Sequence, residues 1–335
     1  MGLCICTNFC VYFQNIGCAS EKLKQVWFFS RLSLYLSVNI DPMKKYFYLI
    51  LSSLLLFACQ SGNKSGDANQ KKVLTVTIEP QRYFLEQIVG DAFTINTLVP
   101  PGSSPETYEP APSVMVDMSN SLIYFMVGDL GFENAWSGRL AANNPNVTIV
   151  NCSAGIDRME GGEADHGHDA MHGDVDPHVW SSPRAVKLFT RNMLEAVVKA
   201  DPGNEETYRS NYEKLNEQLT TIDSLIREKL ENVSSRSFII YHPALSYFAN
   251  DYNLHQHSVE FEGKSPSPAQ IRELVDLARR ERINTVFIQR GFDKKNAEVI
   301  AREIDAEVFE IDPLSYDWDM ELLRIADILS REANE

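Results

Sequence analysis

Short apolar segments alternate with longer amphipathic ones along most of this sequence. Most of the short segments are rich in β-branched and aromatic residues and end at proline, glycine or polar residues, as strands do. They are VLTVTIE, FTINTLV, SLIYFMVG, NVTIVNC, RSFIIYH, QHSVEFE, NTVFIQ and AEVFEID. The segments between them repeat their apolar residues three and four positions apart, which indicates helices. Strands alternating with helices predict an α/β fold, with mainly parallel sheets flanked by helices.

One helical pattern is much longer than the others. The sequence is helical from Pro183 to about Val233, with a bend near ADPGN. Its second part extends about 35–40 Å, enough to connect two domains. We therefore predict two similar lobes, 73–200 and 234–335, joined by one long rigid linker helix over 201–233. The alternative is a long packing helix inside a single domain. The apolar stripe behind this prediction consists of Tyr208, Tyr212, Leu215, Leu219, Ile222, Ile226 and Leu230.

The residues before the first predicted strand have the features of a targeting region. Residues 43–59, MKKYFYLILSSLLLFAC, place two lysines before a short apolar run, as secretory signal peptides do. Their end resembles a bacterial lipoprotein processing site, with Cys59 as the lipidated residue. Residues 60–72 are a flexible polar tether, and residues 1–42 are interpreted as a leader from a misassigned translation start. The expected location is periplasmic and membrane-anchored, and an uncleaved membrane helix is the alternative.

Charge and cysteine content narrow the classes of function. The chain carries 31 basic and 46 acidic residues, of which residues 1–59 hold five and two, so the remainder has a net charge of −18. Such a surface repels nucleic acid and attracts cations. Of the six cysteines only Cys152 follows Cys59, so the predicted mature chain has no intramolecular disulfide and depends on its core for stability.

Side chains that bind metals recur around the ends of the predicted strands. Open parallel sheets bind ligands at the carboxyl ends of their strands. The loops there and the segment before the long helices contain Glu106, His178, His242, Glu260 and Asp312. Each has an ordinary alternative role, because a strand-end histidine often only forms hydrogen bonds, an aspartate before proline often makes a turn, and a loop glutamate is often solvated.

The segment HGHDAMHGDVDPHVW holds four of the seven histidines in the chain. We interpret 163–176 as a His- and Asp-rich loop in which His166, His168 and His172 capture metal loosely and exchange it quickly. Imidazole ligands favour zinc over manganese. A polar linker without a metal role is the alternative.

Five motifs together resemble a known family. VPPGSSPETYEPAPS, DPHVWSSP, YHPALSYFANDYNL, EGKSPSP and IDPLSYDW are similar, in the same order, to motifs of the solute-binding proteins of zinc and manganese ABC importers, especially the zinc-uptake type. The resemblance runs from about Val73 to the C-terminus. It implies two α/β lobes bridged by a rigid helix, with the metal site in the cleft between them.

The resemblance also implies which residues bind the metal. His178 and His242 match family ligands, Asp312 matches an aspartate that binds metal in some members, and Glu260 matches a carboxylate that manganese-binding relatives use. Glu106 departs from the pattern, because the family usually has histidine after this proline. Carboxylate oxygen also binds zinc, so the expected metal is Zn²⁺, with Mn²⁺ or Fe²⁺ also compatible.

The resemblance implies a transport function rather than an enzyme. The expected protein is a monomer that captures a divalent metal and delivers it to an ABC permease and its ATPase. Two alternatives stay open: a metal buffer or adhesin on the same fold, and a zinc-dependent hydrolase. The sequence lacks the H-E-x-x-H and G-x-S-x-G motifs that would favour a hydrolase.

Overall fold

The strands and helices follow the predicted alternation. The computed structural model describes residues 71–160, 175–260, 265–292 and 294–331. In chain order the elements are β1 (Val73–Val76), α1 (Glu79–Val89), β2 (Thr94–Thr97), α2 (Pro112–Ser119), β3 (Ser121–Met126), α3 (Gly131–Asn143), β4 (Thr148–Asn151), α4 (Pro183–Ala200), α5 (Glu205–Leu230), β5 (Ser237–Ile240), α6 (Ser246–Asp251), β6 (His255–Ser258), α7 (Pro268–Glu281), β7 (Thr285–Gln289), α8 (Lys294–Ile304), β8 (Glu307–Ile311) and α9 (Trp318–Ser330).

Several sequence predictions lie outside the described residues. These are the leader 1–42, the signal peptide 43–59 with Cys59, the tether up to residue 70, and the loop histidines His166, His168 and His172. Among the helices that the structure describes, none has the length and apolar character needed to span a membrane.

The first lobe contains a four-stranded parallel sheet in the order β2-β1-β3-β4. Strand β1 is shorter than its apolar run, because the side chain of Gln81 accepts hydrogen bonds from the backbone N–H groups of Thr77 (2.9 Å) and Ile78 (3.1 Å). These bonds turn the chain into α1. Helix α1 ends at Gly90, whose φ of 55° suits glycine.

The second lobe repeats this arrangement with the order β6-β5-β7-β8, again all parallel. Strands β5 and β7 are buried along their whole length. Alternate residues of β7 face two clusters: Phe287 belongs to the core shared with the first lobe, whereas Val286 and Ile288 belong to a separate cluster under α7 and α8. The two lobes confirm the predicted α/β class.

Helix α5 is the long helix predicted from the apolar stripe. It has 26 residues and is therefore about 39 Å long. The side chain of Gln218, near its middle, donates to Tyr83 of α1 at 2.7 Å and to Asp319 of α9 at 2.9 Å. Near its end, Lys229 pairs with Asp327 of α9 at 2.6 Å. Helix α5 thus contacts helices from both lobes, while the domain boundaries at residues 200 and 234 stay predictions.

Aromatic side chains join the two lobes into one core. The indole N–H of Trp318, at the start of α9, donates to the backbone oxygen of Trp180 at 2.7 Å, and the indole N–H of Trp180 donates to the backbone oxygen of Pro313 at 2.9 Å. The ring of Trp318 also lies edge-on to Phe84 of α1, with centroids 4.9 Å apart. These hydrogen bonds and ring contacts involve buried aromatic side chains, so they oppose a wide separation of the lobes.

Candidate metal centre

Three of the five predicted metal-binding residues lie together between the lobes. Glu106, in the loop after β2, His178, before α4, and His242, directly after β5, each offer one ligand atom, and these atoms lie within 4.8 Å of one another. The Nε2 atoms of the two histidines are 3.2 Å apart. No other group of this kind occurs among the residues that the structure describes.

His178 is fixed by the carboxylate of Asp176. His178 directly precedes a 3₁₀ turn (Val179–Ser181), and it is only 5% exposed. Oδ1 of Asp176 accepts hydrogen bonds from the backbone N–H and from Nδ1 of His178, both at 2.8 Å. Burial lowers the pKa of His178, but the negative charges of Asp176 and Glu106 outweigh it, so the pKa lies above its usual value. When the neutral ring donates from Nδ1 to Asp176, its lone pair is on Nε2, the atom that lies 3.2 Å from Nε2 of His242.

His242 is fixed in the same way by Glu260. Its Nδ1 lies 2.8 Å from Oε2 of Glu260, and its backbone N–H donates to the side chain of Gln289 on β7 at 3.2 Å. The ring of Phe292 stacks on the imidazole at 5.7 Å. In this geometry Glu260 orients His242, and its role as a further ligand stays a prediction.

The two carboxylate oxygens of Glu106 differ in their hydrogen bonding. Its Oε2 accepts a hydrogen bond from the backbone N–H of Gly131 at 3.1 Å. Its Oε1 is buried and has no hydrogen-bond partner. The preceding residue is also held, because the carbonyl of Pro105 accepts from the N–H of Phe132 at 2.8 Å. Buried polar atoms are normally satisfied, so an unpartnered carboxylate oxygen on a residue grouped with two histidines favours a cation.

Asp312 lies outside this three-residue group. Its Oδ2 is 3.1 Å from the guanidinium of Arg290, and its backbone N–H donates to Glu321 at 2.7 Å. Burial raises the pKa of Asp312 above its usual value, although Arg290 acts in the opposite direction. An aspartate paired with arginine is a poorer metal ligand than a free one, so a ligand role for Asp312 stays a prediction.

Two imidazoles and one carboxylate form a ligand set that suits zinc, which binds three protein ligands and leaves a fourth position open in many sites. Carboxylates on the far ring nitrogens are the usual outer partners of metal-binding histidines. Asp176 was not predicted in this role. Its position two residues before His178 was the available signal, because that spacing lets one carboxylate reach both the backbone and the ring.

A family model and several known proteins match most of this chain. The family model described as "Zinc-uptake complex component A periplasmic" matches residues 74–321. The high-affinity zinc uptake system protein ZnuA of Bacillus subtilis (strain 168) is 30% identical over 275 residues, covering 78% of this chain and 85% of that protein. The manganese ABC transporter substrate-binding lipoprotein PsaA of Streptococcus mitis is 26% identical, covering 78% and 86%.

A solved structure also resembles this chain. The crystal structure of a zinc-bound ZnuA deletion mutant matches with a TM-score of 0.73 and 34% identity, and the match covers 79% of this chain and 99% of that one. The predicted resemblance to the solute-binding proteins of zinc and manganese importers is confirmed. The chain belongs to the family of periplasmic zinc-uptake complex component A proteins.

Proposed function

We propose that this protein captures a divalent transition metal, foremost Zn²⁺, outside the cytoplasm and delivers it to an ABC-type importer. The observation that carries the proposal is the convergence of Glu106, His178 and His242, whose ligand atoms lie within 4.8 Å of one another. Capture and delivery need no covalent step. Neutral imidazoles and an ionised carboxylate replace water around the ion, and the permease receives it.

The ligand set favours zinc over manganese. Imidazole suits zinc, whereas manganese prefers sites dominated by oxygen. Relatives of this chain include proteins named for each metal, so family membership alone does not decide between them. The two ring nitrogens against one carboxylate oxygen support zinc here, with Mn²⁺ and Fe²⁺ as competitors.

The His-rich loop supports a role in capture. Its two ends are joined, because Glu160 and Val175 form an antiparallel bridge and the N–H of Asp176 donates to the carbonyl of Met159 at 3.0 Å. Asp176 in turn holds His178. We propose that His166, His168 and His172 take up the ion first and pass it to the deeper histidines.

The proposed partners are an ABC permease and its ATPase, and the proposed attachment is a lipid on Cys59. Stable anchoring requires more than one acyl chain, which a lipidated N-terminal cysteine supplies. The proposed protein acts as a monomer, because both lobes of one chain supply the ligands.

Metal competition tests the proposal. The full chain, purified in detergent and stripped with a chelator, is offered equal Zn²⁺, Mn²⁺ and Fe²⁺, and the bound metal per chain is counted. We expect about one zinc per chain, as one ligand group predicts. The His242→Ala variant loses it, and His255→Ala, which changes an exposed histidine outside the group, retains it. A chain that retains no metal would contradict the proposal.

A hydrolase has one observation in its favour, because two histidines and a glutamate also hold catalytic zinc in some proteases. The same preparation therefore serves for an assay of peptide and ester hydrolysis. Zinc-dependent hydrolysis that disappears in His178→Ala would favour the enzyme. We expect no hydrolysis above the rate of free zinc.

A further inference from the structure

The N-terminus of helix α3 forms two hydrogen bonds to the segment that carries Glu106. Gly131 is the first residue of α3, and its N–H donates to Oε2 of Glu106 at 3.1 Å. The next N–H, of Phe132, donates to the carbonyl of Pro105 at 2.8 Å. The first N–H groups of a helix have no partner within the helix and carry partial positive charge, so they hold a carboxylate well.

This contact requires glycine at position 131. A Cβ placed there would lie 2.6 Å from the backbone oxygen of Glu106 and 2.7 Å from its Oε2. Such distances are far below van der Waals contact, and a backbone atom moves only if its whole segment moves. Any larger residue at position 131 would therefore displace Glu106.

The hydrogen bond decides how Glu106 can bind metal. With Oε2 accepting from the N–H of Gly131, Oε1 is the oxygen of Glu106 that is left without a hydrogen-bond partner. The carboxylate then enters as a one-oxygen ligand. Three protein atoms leave a fourth position for water, which matches tetrahedral zinc. Manganese prefers six ligands, mostly oxygen, and would gain from a carboxylate that supplied both oxygens.

We propose that Gly131 is a specificity-determining residue that favours Zn²⁺ over Mn²⁺ by holding Glu106 as a one-oxygen ligand. The inference rests on the proposed function, because it assigns the metal preference of the same site. Glu106 then supplies one oxygen beside the two imidazoles of His178 and His242, a ligand set suited to zinc.

The first test compares two alanine substitutions in one helix. Gly131→Ala changes the contact, whereas Gly138→Ala, also in α3, has no atom within 4 Å of the added Cβ and is the matched control. The full chain in detergent is titrated with Zn²⁺ and Mn²⁺. Outer partners of metal ligands are worth about 10- to 100-fold in affinity, so we expect Gly131→Ala to lose zinc affinity by that factor and manganese affinity by less.

Cobalt provides a readout of coordination. Four-coordinate Co²⁺ absorbs visible light more strongly than six-coordinate Co²⁺. We expect the wild type and Gly138→Ala to give the strong four-coordinate spectrum and Gly131→Ala to give a weaker one. An unchanged zinc-to-manganese preference and an unchanged cobalt spectrum in Gly131→Ala would overturn the inference.

A second pair of variants tests the hydrogen bond if Gly131→Ala does not fold. In Glu106→Gln the single amide oxygen accepts from the N–H of Gly131, so the amide NH₂ group, which cannot bind metal, faces the histidines. We expect Glu106→Gln to bind zinc as weakly as Glu106→Ala. Zinc binding at least tenfold tighter in Glu106→Gln than in Glu106→Ala would overturn the inference. A wild type that binds neither metal would instead refute the proposed function.

Discussion

A buried carboxyl group, Glu133 of α3, should make the stability of this protein depend on pH. Glu133 has no solvent exposure. Its Oε1 accepts from the N–H of Val127 at 2.7 Å and from the hydroxyl of Thr77, and its Oε2 accepts from the N–H of Gly128 at 2.7 Å. Burial raises the pKa of Glu133 to about 7, although these hydrogen bonds lower it in part.

The direction of the effect follows from proton binding. The pKa of Glu133 is about 7 in the folded protein against 4.5 for an ordinary glutamate, so between these values the folded state binds more protons than the unfolded state. Stability from this group is therefore complete below pH 4.5 and is lost as the pH rises through 7. Integrated between pH 5 and pH 8, the loss is about 2 to 3 kcal/mol.

The assay is urea unfolding of the metal-free protein at pH 5, 6, 7 and 8, for the wild type and Glu133→Gln. Glutamine does not titrate, and all other groups are common to both proteins, so the difference in free energy of unfolding isolates Glu133. We expect the advantage of the wild type to shrink by about 2 to 3 kcal/mol from pH 5 to pH 8. Glu298→Gln, which changes an exposed glutamate of α8, should show a smaller dependence.

A difference between wild type and Glu133→Gln that stays constant from pH 5 to pH 8 would refute the reasoning. It would mean that the three donors hold Glu133 as a carboxylate throughout, because their hydrogen bonds outweigh the cost of burial. The metal must be removed for this measurement, since a ligand that binds only the folded state adds its own stabilisation.

Three further substitutions test the site and the core. Asp176→Asn removes the carboxylate that lies against Nδ1 of His178. Zinc affinity, measured by competition with a chelating dye, should fall about 10- to 100-fold. An unchanged affinity would show that the imidazole ring needs no such partner. Glu260→Gln should weaken zinc binding through His242 by a similar factor, while a complete loss would favour direct coordination by Glu260. Trp318→Ala should lower the free energy of unfolding by about 3 to 5 kcal/mol, and a loss below about 1 kcal/mol in urea unfolding would argue against a shared core.

The strands and helices of this fold could be predicted from the sequence, because each depends on a local pattern of apolar and polar residues. Strands such as β5 and β7 are short apolar runs, and the stripe of α5 repeats over its full length. The strand order within each sheet depends on which surfaces pack best over long sequence distances. Residue pattern alone does not contain that information.

The residues of the candidate site could be predicted from the sequence, whereas their arrangement in space could be predicted less well. Glu106, His178 and His242 follow from motifs, but whether Asp312 joins them depends on Arg290 at the end of the neighbouring strand. Only the pairing of β7 with β8 brings that arginine alongside. The role of Gly131 was invisible for a related reason, since a glycine at a helix start has no side chain to mark a close approach.

The candidate metal centre brings several electron-rich atoms together, and the core shared by the two lobes supports it. Asp176 and Glu260 each lie 2.8 Å from the Nδ1 of a histidine, so when both rings are neutral and donate from Nδ1, two Nε2 lone pairs lie 3.2 Å apart; Oε1 of Glu106 is also without a hydrogen-bond partner. Like partial charges at that distance repel in a low-dielectric interior, and a cation between them converts repulsion into attraction. The Trp180 and Trp318 contacts oppose opening of the lobes, so we expect release of the metal to depend on movement of the ligand-bearing loops.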